Sequence, residues 1–272
     1  MLSIFYVIGN YASTVVGAKE NCEAILVIVA AGRQFFMGVK AMNYISDGDE
    51  NQEFITLEMQ KQNLRSSKGT KQLMTYYNCA LLEIETKFRV LNQQFSLEQD
   101  YNPIETIKGR LKSMDSIIEK LERKGLALTL EAVEENLKDV AGIRVICPFL
   151  SDIYRMSSCL LEQDDVHLIE KKDYIKNPKK NGYRSLHLII DIPIFLQNEK
   201  RRMKVEVQFR TIAMDFWASL EHRMHYKKNL DEQLQEKLVE ELRDCAEESA
   251  NLDIRMETVK DYIEENTVKS PK

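Results

Sequence analysis

Two acidic residues stand where a metal-dependent reaction on phosphate esters could use them. Asp139 opens the segment Asp139-Val140-Ala141-Gly142-Ile143-Arg144 at a predicted strand start. A carboxylate there could bind Mg2+, which takes one or two carboxylates together with phosphate oxygens and water. Gly142 would permit close approach of a ligand, and Arg144, alternating outward from Ile143 and Val145, could stack on a base or pair with phosphate. Glu206 lies in an alternating run, with Met203, Val205, Val207 and Phe209 on one face and Lys204, Glu206, Gln208 and Arg210 on the other. Two strand rises put Glu206 and Gln208 about 7 Å apart. Glu206 could simply meet solvent, or it could act as a general base beside a metal.

Cations are the second ingredient. Asn102 as N-cap, Pro103 at the first helical position and Glu105 as a capping-box acid predict a helix running to Gly125. Its apolar stripe would be Ile104, Ile107, Leu111, Met114, Ile118 and Leu121. Opposite that stripe Lys112, Ser116, Lys120 and Arg123 fall in line, with Arg110 at the edge. Such a row is either a solvated cationic face or a rail presenting several donors to a polyphosphate. From Lys171 to Arg184 a turn-rich stretch holds six cations, one acid and the tyrosines Tyr174 and Tyr183. Asn181-Gly182 there reads as a tight turn that delivers Tyr183 into the apolar run Leu186–Ile192. Cations with interleaved aromatics suit a nucleotide, phosphate meeting charge and base meeting ring. Neither a Walker A sequence nor GxGxxG is present, so phosphate would be held by side chains and a metal rather than by a glycine-rich cradle. Glu221, His222 and His225 do not have the spacing of the helical zinc motif.

The elements that must position these residues read as α+β. Leu73, Tyr77, Leu81, Ile84, Phe88, Leu91 and Phe95 mark a helix over about 71–95. Strands are predicted at Val140–Phe149, Leu186–Ile192 and Met203–Arg210, followed by a helix from Ile212 to about Lys228. Leu234, Leu238, Leu242, Cys245, Leu252, Met256, Val259 and Ile263 trace a long amphipathic tail helix. The implied division is an extension over 1–52 without assigned function, a central domain over 53–229 and a helical tail over 230–272. With 38 basic and 43 acidic residues the formal charge is −5, so an anion site must be a local patch and no nucleic-acid partner is expected. The five cysteines are scattered without a CxxC pair, as in a reducing, cytoplasmic setting. Met1–Ala18 carries no charge, but Asn10, Ser13, Thr14 and two glycines interrupt it and the first cation is Lys19. Neither a signal peptide nor a spanning helix of about 20 apolar residues is expected.

Four stretches, IKGRLKSMDSIIEKLERK, LKDVAGIRVICPF, DYIKNPKKNGYRSLH and VEVQFRTIAMDFWASLEH, resemble in their order the synthetase domain of the RelA/SpoT family, especially its stand-alone small alarmone synthetases. The resemblance spans about Pro103 to Tyr226. It implies a mixed sheet flanked by helices, similar to the nucleotidyltransferase fold, and transfer of the β,γ-diphosphate of ATP to the ribose 3′-hydroxyl of GDP or GTP. By motif position, Asp139 would hold Mg2+ and Glu206 would bind the metal or deprotonate the hydroxyl. Arg110 and Arg144 would sandwich adenine, while Lys112, Ser116, Lys120 and Arg123 would meet the triphosphate. Tyr183 would stack on guanine, Lys179, His187 and Gln208 would belong to the acceptor site, and Asp215 would read the guanine edge, where many relatives carry asparagine. No upstream hydrolase region and no long regulatory tail are seen, so synthesis alone is expected. A homotetramer is implied by the small relatives. The segment Glu105-Thr106-Ile107-Lys108 does not look like the alarmone-binding segment of one subgroup, so product activation is not expected. The rivals are a non-catalytic nucleotide- or RNA-binding module, which has no need of Asp139 and Glu206, and a nucleotidyltransferase that releases pyrophosphate instead of AMP.

Overall fold

The computed structural model describes residues 13–15, 24–31, 34–41, 48–98, 101–224 and 232–266. The chain divides into two compact units, Met1–Glu58 and Met59–Lys272. In the first, β1 (Ser13–Val15), β2 (Ala24–Ala31) and β3 (Gln34–Ala41) form an antiparallel sheet in that order. The apolar run at 24–31 is thus a strand, as its β-branched content favours. Most of the charge-free run at 1–18 lies outside the described residues. Among the described residues no helix is long and apolar enough to cross a membrane.

The second unit is built on a five-stranded mixed sheet of order β4-β5-β8-β7-β6. Its elements are β4 (Thr106–Leu111), β5 (Ala141–Cys147), β6 (His167–Asp173), β7 (Leu186–Phe195) and β8 (Lys200–Thr211). Only β5 and β8 pair in parallel. Register sorts the side chains into two faces. One row runs Ile107, Val145, Phe209, Leu186 and belongs to the core; the next runs Lys108, Arg144, Gln208, His187, Lys172 and is polar throughout. Helix α1 (Gly48–Ser66) precedes α2 (Lys68–Glu98), and α2 and α5 (Leu150–Leu161) bury Tyr77, Ile84, Phe88, Ile153 and Met156 in that core. Phe88 meets Phe209 edge-to-face at 5.6 Å. Covering the core face in this way leaves the polar row for chemistry.

The helix expected from Asn102 is instead a strand followed by a helix. Residues 106–111 form β4, paired antiparallel with β5 from Thr106↔Ile146 to Leu111↔Ala141. Helix α3 begins at Met114, capped by Ser113, whose Oγ accepts from the Ser116 amide at 3.3 Å. Ile107 and Leu111 are four apart, which suits a strand face as well as a helix stripe, and Gly109 between them disfavours a helix. The expected terminator is correct. Gly125 has φ +64°, and Leu126 and Gly125 donate to Leu121 and Glu122 at 3.0 and 2.9 Å, closing a Schellman motif. Consequently Arg110 lies on β4 and Lys112 in the link, and only Ser116, Lys120 and Arg123 belong to α3 (Met114–Arg123).

The basic stretch is also shorter than expected, because Lys171, Lys172 and Asp173 end β6 and the loop starts at Tyr174. Helices α4 (Leu130–Asn136) and α5 were not anticipated. Helix α6 (Ile212–Met224) follows β8 directly, and α7 (Glu232–Asn266) returns across the unit. Among the contacts that fasten it, Trp217 Nε1 donates to the Leu242 carbonyl at 2.8 Å, Thr211 Oγ1 to Asp253 at 2.6 Å, and Lys260 Nζ to Ser151 Oγ at 2.8 Å.

Candidate functional site

The polar face of the sheet brings together Glu206, on β8, and Asp139, in the segment that leads into the neighbouring β5. Glu206 on β8 pairs with Gly142 of β5 on one side and Ile189 of β7 on the other. Asp139 lies three residues ahead of Gly142 in the approach to β5. The two carboxylates feel one another, since the charge of Asp139 acts to raise the pKa of Glu206. Between them Gly142 leaves room. A Cβ there would meet only Arg110 Cγ and the Glu206 carbonyl, both at 3.9 Å.

Asp139 is clamped by cations from two elements. Its Oδ2 accepts from Lys112 Nζ at 2.6 Å and from Lys120 Nζ at 2.7 Å. Burial alone would raise its pKa, but these bonds and charges outweigh burial and hold the carboxyl below its ordinary value. Its Oδ1 is buried with no hydrogen-bond partner. A buried anionic oxygen without a donor is costly, and it is where an incoming cation would be welcomed. Among the described residues no group of three or more His, Cys, Asp or Glu side chains is gathered for a metal, so any ion here would rest on two carboxylates and substrate oxygens.

Glu206 sits in a directed hydrogen-bond chain. Its Oε2 accepts from Gln208 Nε2 at 2.8 Å, and its Oε1 is 3.2 Å from His187 Nδ1. His187 Nε2 is 2.8 Å from the Tyr183 hydroxyl, and that hydroxyl accepts from Arg210 NH2 at 2.8 Å. A guanidinium only donates. An ionised carboxylate only accepts, so Nδ1 carries the hydrogen shared with Glu206. Burial, the largest influence, acts to raise the Glu206 pKa, but His187 and Gln208 overcome it and leave the carboxylate below its usual range. Glu206 is anionic at neutral pH.

The far end of this polar face is assembled from the loop, β8 and α6. Gly182, at φ +86°, turns the loop, and Asn181 Oδ1 accepts from the Tyr183 amide at 3.2 Å while its amide nitrogen donates to Glu221 at 3.1 Å. Lys179 Nζ lies 4.7 and 4.8 Å from the ring centroids of Tyr174 and Tyr183. Asp215, in the first turn of α6, accepts through Oδ1 from Arg144 at 3.1 Å and from Arg210 at 3.0 Å. Arg144 is pressed toward a lower pKa by burial first and Arg210 second, with Asp215 acting in the opposite direction.

The candidate residues of the sheet, the loop and α6 lie on this face or its rim, and Ser116 and Arg123 are exposed on the same stripe of α3 as Lys120. Ser116 is engaged by Ser113 at 3.0 Å and Arg123 is exposed in the last turn. His225 of the rejected zinc reading lies outside the described residues. Sequence reasoning passed over Arg210, only 5% exposed and bonded to Tyr183, Gln208 and Asp215. The signal was present, since Arg210 continues the polar face beyond Glu206 and Gln208. Tyr174, which packs edge-on to His187 at 5.2 Å, was also given no role.

Residues 109–231 match the family profile described as "Region found in RelA / SpoT proteins". The GTP pyrophosphokinase YwaC of Bacillus subtilis is 45% identical over 194 residues, covering 71% of this chain and 91% of that protein. The GTP pyrophosphokinase YjbM of the same organism is 32% identical over 198 residues, covering 73% and 92%. Among solved structures, small alarmone synthetase 2 from B. subtilis superposes with a TM-score of 0.63 at 43% identity, covering 71% of this chain and 98% of that one. Small alarmone synthetase 1 from B. subtilis bound to its product pppGpp gives 0.65 at 31% identity, covering 72% and 99%.

Proposed function

This chain belongs to the RelA/SpoT family, and from that membership we propose that it is a GTP pyrophosphokinase, moving the β,γ-diphosphate of ATP to the 3′-hydroxyl of GDP or GTP and releasing AMP. The observation that carries the reading is the placement of Glu206 on β8 and of Asp139 just ahead of the adjacent β5, with lysines and arginines around them and an aromatic loop at one end. Both substrates are polyanions, so they repel until positive charge is supplied where they meet. Phosphoryl-type transfer then asks mainly for positioning and charge stabilisation.

On the ATP side, Arg110 and Arg144 flank the adenine, while Lys112, Ser116, Lys120 and Arg123 meet the triphosphate. Tyr183 stacks on guanine, Lys179 and His187 contact acceptor phosphates, and Asp215 accepts from the base edge. Asp139 and Glu206 would hold Mg2+, and the buried, unpartnered Oδ1 of Asp139 fits that role. Bound there, the ion would offset charge on the phosphate oxygens. The 3′-oxygen attacks the β-phosphorus, the bond from that phosphorus to the α,β-bridging oxygen breaks, and AMP leaves. The hydroxyl proton passes to Glu206, which the donors on both its oxygens hold in place. A homotetramer is the proposed assembly. Ile212, Phe216, Leu220 and Met224 are exposed apolar residues spaced by four along α6 that such an assembly would cover.

The test is incubation with ATP, GDP and Mg2+ followed by thin-layer separation. AMP and a 3′-diphosphorylated nucleotide are expected, whereas pyrophosphate release, or guanine-nucleotide binding without turnover, would replace this reading with one of its rivals. Glu206→Gln should lower kcat by about 10²–10⁴, the worth of a positioned base, with acceptor binding largely kept. Near-normal turnover would remove Glu206 as the base.

A further inference from the structure

Three residues of the proposed acceptor site converge on a side chain to which that reading gives no task. Arg210 donates from NH1 to Asp215 Oδ1 at 3.0 Å and from NH2 to the Tyr183 hydroxyl at 2.8 Å and to Gln208 Oε1 at 3.3 Å. Its guanidinium carbon stands 5.2 Å from the centre of the Tyr183 ring. The group is almost fully buried, and its Nε has no partner. A buried cation with an orphaned donor is costly to keep, so the arrangement is more than a surface contact. Tyr183 comes from the β6–β7 loop, Asp215 from α6 and Gln208 from β8. Asn181 also ties the loop to α6 through Glu221 at 3.1 Å, but Arg210 is the side chain that bonds Tyr183 and Asp215 at once.

We propose that Arg210 is the positioning residue that sets guanine selectivity, by tying the base-stacking ring and the base-edge carboxylate to one rigid group without itself touching the base. The inference rests on the acceptor assignments given to Tyr183 and Asp215 above. Guanidinium donors lie in one plane at fixed angles, so bonding both residues at once fixes the distance and tilt between ring and carboxylate. Both arginines on Asp215 use Oδ1, which leaves Oδ2 as the oxygen that can accept from an incoming edge. Guanine offers N1–H and the 2-amino group there. A base lacking that amino group leaves the fixed carboxylate short of a donor, and sites built to hydrogen-bond a substrate group reject analogues that lack it. A carboxylate free to swing would lose that discrimination. Lysine in place of arginine keeps the charge beside Asp215 but cannot hold ring and carboxylate in one plane.

The experiment compares GDP with IDP, whose hypoxanthine lacks the 2-amino group, in wild type, Arg210→Lys and Arg210→Met. Both variants should raise the KM for GDP about ten- to a hundredfold, the worth of a charge-assisted hydrogen bond, with the KM for ATP unchanged. The GDP-to-IDP ratio of kcat/KM should fall toward one. A merely structural role would lower Tm and damage both substrates' parameters while leaving the ratio as in wild type, and that result overturns the proposal. Should Arg210→Met fail to fold, Arg210→Lys, which keeps a cation against Asp215, decides. The same ratio measured by equilibrium binding of GDP and IDP needs no turnover. A missing transfer reaction with a large wild-type binding ratio that collapses in Arg210→Lys therefore sinks the activity and upholds the positioning role. An unchanged binding ratio sinks the positioning role whether or not transfer occurs.

Discussion

Replacing Gly182 by alanine asks whether α7 sets the place of Tyr183. The backbone there has φ +86°, where an L side chain costs about 1–2 kcal/mol. The new Cβ would stand 2.6 Å from Ala246 Cβ and 3.4 Å from Arg243 Cα, against ordinary carbon contacts of about 3.5–4.0 Å. Neither neighbour is the tip of a flexible side chain, so the loop or the helix must yield by about 1 Å. Helix α7 is held by Trp217 to the Leu242 carbonyl at 2.8 Å and by Thr211 to Asp253 at 2.6 Å, so the loop moves and takes Tyr183 with it. A misplacement of about 1 Å can cost about 10²-fold. The acceptor KM should therefore rise about ten- to a hundredfold, while the ATP KM, governed from α3 and β4, stays as it was. Initial rates with each substrate varied in turn measure both. The double variant Gly182→Ala with Ala246→Gly removes the opposing methyl and should restore most of the acceptor KM. The backbone cost then remains, as a Tm lowered by about 2–4 °C per kcal/mol. Equal rises in both KM values, or no rescue by the second change, would refute the idea that α7 supports the loop.

Chelating divalent cations should abolish turnover, and added Mg2+ should restore it. Tm should stay the same, because Lys112 and Lys120 already balance the charge of Asp139; a large Tm loss on chelation would mean that the fold itself depends on an ion. Burial, as the main cause, raises the Asp253 pKa to about 6 despite the Thr211 bond. A raised carboxyl favours the protonated folded state, so its contribution is present at low pH and is lost as pH climbs through the folded pKa. Asp253→Asn should therefore gain Tm relative to wild type as the pH rises from about 5 to about 7, and a constant difference across that range would show that Asp253 is not perturbed.

The strands that carry the chemistry were legible where their residues alternate cleanly. From Met203 to Arg210 the pattern assigned both faces of β8, and the buried row Val205, Val207, Phe209 matches it. The segment at 106–111 was not legible for a physical reason, since a spacing of four satisfies both periods and the tie was broken by a plausible but unused cap at Asn102. Burial of α7 was unreadable in a different way. Its stripe announces an amphipathic helix, but nothing local says that Ala246 meets Gly182 or that Asp253 receives Thr211. Arg210 was hidden because a charged residue on a polar face is usually solvated, and only the approach of the Tyr183 loop and α6 makes it interior.

The strand at 106–111 also changes how the cations work. On one helix, Lys112 and Lys120 would stand two turns, about 12 Å, apart on a surface, each solvated by itself. With β4 ending at Leu111 and α3 starting at Met114, they arrive from different elements and share a single oxygen of Asp139. The carboxylate thus gathers two ammonium groups that would otherwise spread apart, and it does so before any nucleotide arrives. A triphosphate entering beside them meets charge already oriented, so less ordering remains to be done at binding. Asp139 then has two duties that a lone carboxylate at a strand start would not suggest. In the proposed site its Oδ2, which already holds both lysines, would present them to the phosphates, and its buried, unpaired Oδ1 would be left for a cation. The protein's own ion pair is the template for the charge pattern that the substrates complete.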